Sequence, residues 1–447
     1  MRSKLIVVAG VLASASALVH CSSSETPDAP SEDASVRPDV VVADAGDASP
    51  ITDAAMEDEF EIPDGAIVCD ATPCALAIGS GYTSASLGGF CALLDDGTVQ
   101  CWGHGPVRRL GYDIDASSLL EQFSSAPRRV EGLSGATSIG VGGDNGCAVV
   151  SDGGTYCWGN AALVNAGVDP DASAPIVAPA LATRQDLVPP ASAVAVGMNT
   201  ACVTDDAGAM RCWGHNGSGQ LGRPPAASAP PAEVAIEQPV AIAAPADGRT
   251  FAITEGGEIF SWGADSTGRA RDFLLGRDTS EDPDPVPHVF TGVSGVRAVS
   301  SGTNHSCAII GRRVECWGGS TLGDLGRGAT GVFPSPPAPT ILEAVAPGEI
   351  PLHLSVDYAR SCVVMGSGSV YCWQSRDSVD AGAGEPWRVE GLSGPAVAVT
   401  SVQRTTCALL RSGVVECWGA NITGALGRGI EDHFFVDPNP GRVLFAD

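Results

Sequence analysis

Downstream of residue 74 the chain is a succession of short apolar runs cut by Gly, Pro and Asp, many of them alternating, as in Ala193-Val194-Ala195-Val196 and Ala396-Val397-Ala398-Val399. A period of two puts every second side chain on one face and predicts strands; the three-to-four spacing of an amphipathic helix is missing from these units. The runs are themselves periodic. Trp-Gly dipeptides stand at Trp102, Trp158, Trp213, Trp262, Trp317 and Trp418, and Gln374 follows Trp373 in a seventh copy, so the unit recurs about every fifty residues. Repeats of that length made of strands and turns predict a β-propeller, with one blade per copy.

A second regularity precedes each tryptophan. Cys91-Ala-Leu-Leu-Asp-Asp-Gly-Thr-Val-Gln-Cys101 is matched by Cys147 to Cys157, Cys202 to Cys212, Cys362 to Cys372 and Cys407 to Cys417. Asp95-Asp96-Gly97 suits a three-residue hairpin loop whose glycine takes the left-handed conformation, which sets the two cysteines opposite each other. Cys307 and Cys316 lie one residue closer, and a two-residue turn at Gly311-Arg312 keeps both sulfurs on one face. Six cross-strand disulfides are therefore predicted, each worth roughly 2–3 kcal/mol at most because the closed loop is short. In the fourth copy Phe251 and Ser261 replace the cysteines, so that hairpin relies on packing.

Longer connections follow each Trp-Gly, several with a Leu-Gly step, as at Leu110-Gly111, Leu221-Gly222, Leu325-Gly326 and Leu426-Gly427. A Pro-x-x-Val element then opens the next unit, as at residues 127–130 and 386–389. The last of these, 440–443, has no hairpin after it and is expected to return to the first blade, closing the ring by joining its sheet.

The N-terminal 74 residues differ. Arg2 and Lys4 precede an apolar stretch from Leu5 to Leu18, the layout of a secretion signal over residues 1–20. Leu18-Val19-His20-Cys21 resembles the lipobox of bacterial lipoproteins and makes Cys21 the expected lipidation site; cleavage after Ala15-Ser16-Ala17 is the alternative. Residues 21–68 are rich in Ser, Asp, Ala and Pro and predict an acidic disordered tether, leaving 69–447 for the propeller. Export also allows disulfides. Of fifteen cysteines, twelve form the hairpin pairs, Cys69 and Cys74 make a seventh pair, and Cys21 is left over for lipid. Close Cys-x-x-Cys spacing is lacking, so no metal and no cofactor are expected.

Gly302-Thr-Asn-His305-Ser-Cys307-Ala and Trp213-Gly-His-Asn216-Gly-Ser-Gly219-Gln-Leu221-Gly222 resemble repeats of the regulator-of-chromosome-condensation family over about residues 75 to 447. The resemblance implies seven blades of four strands. It departs at the position two before the first cysteine, where His305 stands alone beside Asn145, Thr200, Arg249, Arg360 and Thr405, so a ring of histidines is not available. Secreted propellers similar to it bind β-lactamases, which implies a scaffold suited to recognising proteins.

A formal charge of −27 with only 25 basic residues excludes a nucleic-acid partner. The seven histidines include no recognisable catalytic motif, so no enzymatic activity and no catalytic residues are expected. The reading is a non-catalytic, monomeric cell-envelope module that touches the membrane through its lipid alone. It sits at the outer membrane, or is secreted or periplasmic, and binds a protein or another surface ligand. A secreted hydrolase or lyase and a structural envelope protein are the alternatives. The connections 103–126, 160–190 and 264–287 are the expected binding loops. His104 and His215 are expected on exposed loops, Asp113-Ile-Asp115 and Asp169-Pro-Asp171 lack the spacing of a calcium loop, the repeat tryptophans are packing residues, and Trp387 is placed on a strand beside Pro386.

Overall fold

Each Cys-to-Trp motif forms the two central strands of an antiparallel four-stranded sheet, and seven such sheets follow one another. A computed structural model describes residues 66–70, 72–82, 88–105, 109–112, 123–159, 163, 181–266, 273–320, 323–328, 332–358, 360–374, 384–430 and 435–446. The expected leader, Cys21 and residues 21–65 of the tether lie outside the described residues. The first blade is built from Ala75–Tyr82, Gly88–Leu94, Val99–His104 and Phe123–Arg129. The fourth comprises Val240–Pro245, Arg249–Thr254, Ile259–Gly263 and Asp284–Val289, and the seventh Ala396–Val402, Thr405–Leu410, Val415–Ala420 and Val436–Arg442. The remaining blades repeat this order within residues 136–184, 193–233, 296–339 and 351–388. The chain is a seven-bladed β-propeller, with almost no helix among the described residues.

Within six of the blades the expected cysteines are opposed in register, Cys91 to Cys101 and Cys202 to Cys212 among them. Cys307 meets Cys316 because Ile310 pairs with Arg313 around a two-residue turn. Among the described residues seven disulfides join Cys69–Cys74, Cys91–Cys101, Cys147–Cys157, Cys202–Cys212, Cys307–Cys316, Cys362–Cys372 and Cys407–Cys417.

The Pro-x-x-Val elements end blades instead of opening them. Val130 N–H bonds Val99 O, Val389 N–H bonds Val370 O and Val443 N–H bonds Val415 O, each at the start of its own blade's third strand. Residues 436–442 accordingly pair with the third strand of blade 7, and the expected return to the first blade does not occur. Proline suits this outermost position because an edge strand needs no outward N–H and a proline there blocks pairing with another chain. Pro127, Pro230, Pro285, Pro336 and Pro440 all lie on outer strands.

The ring closes by repeating the contact that joins its other blades. Ala136 N–H bonds Gly97 O of the preceding hairpin, Val240 N–H bonds Gly208 O, and Ala75 N–H bonds Gly413 O of blade 7, at 2.9 Å in each case. These glycines sit at positive φ, +77° at Gly97 and +79° at Gly413, where a side chain is strained. The C-terminal tail adds a clasp: Gln100 and Ala446 exchange two hydrogen bonds of 2.7 and 3.1 Å, and Phe445 meets Trp102 edge-on at 5.8 Å.

Candidate functional site

Strand order gives the ring two faces. One carries the hairpin loops between second and third strands; the other carries the first-to-second turns and the long connections after Trp-Gly.

The described parts of the long connections are largely structural. Leu110, Leu221, Leu275, Leu325 and Leu426 are buried. The carbonyl beside the Leu-Gly step accepts the indole N–H of the next blade's tryptophan, Gln220 from Trp262 at 2.9 Å, Leu274 from Trp317 at 3.1 Å and Ala425 from Trp102 at 3.0 Å. The arginine after Leu-Gly reaches back to the second cysteine of its own blade: Arg223 donates to Cys212 O at 3.3 Å, and Arg327 and Arg428 bond Cys316 O and Cys417 O. Tyr112 does the same for Cys101 O at 2.9 Å. The Leu-Gly-Arg triplet at 221–223, 275–277, 325–327 and 426–428 is legible in the sequence as a repeat, and the structure adds what its arginine does. Asn216 and Asn421 hold the loop by accepting from Leu221 and Leu426 N–H, and Asp265 takes this role in blade 4 with Leu275.

Residues 106–108, 113–122, 160–162, 164–180 and 267–272 of the expected binding loops lie outside the described residues, and with them Asp113, Asp115, Asp169 and Asp171. His104 ends its third strand and His215 stands one residue before the end of its own, but only His215 is exposed; His104 is buried, contrary to expectation. Six of the seven repeat tryptophans are fully buried packing residues, and Trp387 lies half-buried on an outer strand opposite Cys372.

At the inner rim of the long-connection face, the position two before the first cysteine is the polar staple between blades in four copies, while Thr200 and Thr405 donate to His215 O and Ala420 O of their own blades. Asn145 donates to Met198 O at 3.0 Å, Arg249 to Ser301 Oγ at 3.1 Å and Thr303 O at 2.9 Å, and Arg360 to Thr406 Oγ1 at 2.9 Å. His305 Nε2 shares a 2.8 Å bond with Ser361 Oγ. Burial, aided by the Arg249 charge, drives the His305 pKa down to about 3, so the ring is neutral. Burial lowers Arg360 to about 10 against the attraction of Asp357, whose own carboxyl burial pushes well above the usual range. In blade 1 the equivalent residue is Gly89, and Arg109 reaches its carbonyl at 3.3 Å from the long connection. These groups, the obvious catalytic candidates by residue type, are used to bind one blade to the next.

The hairpin face offers a different surface. Across blades 2 to 4 runs a groove of about 1150 Å³. Its floor is made of small or apolar side chains, Ala191, Ala193, Ala195, Val240 and Ile242, at the start of the inner strands. Its rim carries Asp152, Asp205, Asp206 and Glu255 on the hairpin loops. Asp205 is fixed by accepting from Ala207 and Ala209 N–H, and together with Arg211 these bonds hold its carboxyl below the ordinary range despite partial burial.

No family model matches the chain. HERC2, an E3 ubiquitin-protein ligase of Mus musculus, is 28% identical over 48% of this chain, which spans 5% of that protein. RUG3, a mitochondrial RCC1 domain-containing protein of Arabidopsis thaliana, is 26% identical over 62% of this chain and 61% of its own length. The ultraviolet-B receptor UVR8 of the same plant is 25% identical over 79% of both chains. Among solved structures, Prp20p of Saccharomyces cerevisiae superposes with a TM-score of 0.64 at 18% identity, covering 79% of this chain and 87% of its own. Human WBSCR16 gives 0.65 at 16% identity, covering 78% and 94%.

Proposed function

The chain is an RCC1-like seven-bladed propeller, and from that premise we propose that it is a non-catalytic binding module of the cell envelope that recognises a protein through the connections between its strands. Its polar side chains at the inner rim are committed to joining blades, whereas the hairpin face presents an open groove; that contrast carries the reading. Prp20p, the solved propeller of similar fold, is described as binding Gsp1p and histones, which supports protein recognition as a use of this scaffold. The aligned 5% of HERC2 gives no ground for carrying a ligase activity across.

Anchoring follows from the leader and Cys21: the module acts as a monomer held to the outer membrane by lipid, with residues 22–68 as spacer. Among the described residues no helix is long and apolar enough to cross a membrane. Labelling cells with radioactive palmitate checks the anchor; the Cys21→Ser chain is expected to lose label and leave the membrane fraction. For the binding role, the disulfide-bonded chain is incubated with envelope fractions, alongside versions with shortened long connections and with altered hairpin loops. A protein retained by the wild type and lost on one loop change supports the module. Retention of no protein, together with loop-dependent turnover in a hydrolase screen, would contradict it.

A further inference from the structure

Resting on the binding-module reading, we propose that the groove across blades 2 to 4 takes an extended cationic protein segment with large apolar side chains between its lysines or arginines. Three observations converge on this occupant. The first is size. About 1150 Å³ exceeds the few hundred to roughly 1,000 Å³ typical of small-molecule pockets and suits several consecutive residues.

The second is the floor. Ala193, Ala195 and Ala243 supply little bulk of their own, and Ile242 is only half-buried, so space and apolar surface are left for a partner's large side chains.

The third is charge. Six carboxylates stand at or beside the rim, on Asp152, Asp186, Asp205, Asp206, Glu233 and Glu255, and four of them, Asp152, Asp186, Asp205 and Glu233, share two guanidinium groups. Arg184 lies 3.4 Å from Asp152 and 3.9 Å from Asp186; Arg211 lies 3.2 Å from Asp205 and 2.9 Å from Glu233. Each arginine is thus divided between two acids, and the rim keeps a net negative charge that favours a cationic partner and repels the acidic segment 22–65 of this same chain. A second copy of the chain, at −27, is disfavoured for the same reason.

The test titrates the full disulfide-bonded chain with a fluorescein-labelled peptide of alternating lysine and leucine. Glutamate-for-lysine and serine-for-leucine peptides are run beside it. The first peptide is expected to bind and the other two to bind far more weakly. Asp206→Asn with Glu255→Gln should weaken binding about tenfold, two exposed charge pairs being lost. Asp206→Arg with Glu255→Arg should abolish it, and Ala241→Trp, a change at an exposed lining residue, should block it without altering charge.

Because Lys4 is the chain's only lysine, carbodiimide coupling joins peptide lysines to carboxylates of the propeller, and adducts are expected at Asp206 and Glu255. Equal binding of the glutamate peptide, unchanged affinity in all three variants, or adducts confined to carboxylates elsewhere would overturn the groove assignment. If the arginine variant still retains the envelope proteins held by the wild type, the groove fails and the binding module stands. If the wild type retains none, the module itself fails.

Discussion

Blade 4 and the six cysteine-bearing blades solve one problem by different chemistry. In six blades a disulfide ties the central hairpin. In blade 4 Phe251 and Ser261 occupy the same paired register. Phe251 is fully buried and meets Trp317 of blade 5 edge-on, with ring centroids 5.8 Å apart. Ser261 Oγ accepts from Arg277 Nε at 3.0 Å, and the same guanidinium pairs with Asp284 at 2.9 Å, side chains only 12% and 6% exposed. A covalent link inside one blade is thus replaced by aromatic packing across a blade boundary and by the serine–arginine hydrogen bond, since the ion pair has a counterpart, Arg428 to Asp437, in blade 7 beside an intact disulfide. The hairpin motif tolerates loss of its sulfur when neighbouring elements take over the constraint.

The comparison is broken most severely from the packing side. Phe251→Ala should cost about 3–5 kcal/mol by removing a buried aromatic, and Arg277→Ala less, because Asp284 keeps the hydrogen bonds from Thr279 Oγ1 and Val286 N–H. Urea unfolding of each variant checks this. Removing one hairpin disulfide elsewhere, as in Cys147→Ala with Cys157→Ala, should cost about 2–3 kcal/mol, so blade 4's aromatic packing is the stronger constraint. If the disulfide variant loses more than Phe251→Ala, the sulfur-for-packing exchange is misjudged. Phe251→Cys combined with Ser261→Cys, which would restore the disulfide in blade 4, should give no net gain, because about 2–3 kcal/mol of loop closure offsets lost aromatic burial of at least that size.

Two titrations sharpen the picture. The folded His305, at about 3, lies below its unfolded value near 6.5, so the neutral ring stabilises fully above pH 6.5 and that contribution is lost as pH falls toward 3. Relative to wild type, His305→Asn should retain about 2–3 kcal/mol more stability between pH 7 and 4.5 than its neutral-pH effect implies. Asp265 has the opposite sign: burial, with repulsion from Asp282 adding to it, raises its carboxyl to about 6, so the charged form destabilises at pH 7. Asp265→Asn keeps the acceptor for Leu275 and matches Asn216 and Asn421. It should gain about 1 kcal/mol at pH 7, fading as pH falls below 6.

Local features were readable in the sequence because their partners are close in the chain. Cys91 and Cys101 flank one turn, and Gly311-Arg312 explains the shortened fifth hairpin. The phase of the unit was not readable: residues 440–443 look like the start of a repeat, and only the bond from Val443 to Val415 shows that they finish one. The staple at Arg249 and His305 was equally hidden, since its acceptors lie about one repeat away on the next blade. The groove draws on three copies at once, so its acidic residues read singly as turn formers.

The most direct test of protein recognition by the hairpin face is site-specific photo-crosslinking in living cells. A benzophenone side chain is placed at Ala207 or Ala241 in the groove, and at Ile422 on the opposite face. The account predicts protein adducts from positions 207 and 241 that the lysine-leucine peptide competes away, and none from position 422. Adducts from position 422 alone, or adducts at the groove that the cationic peptide leaves untouched, would contradict it.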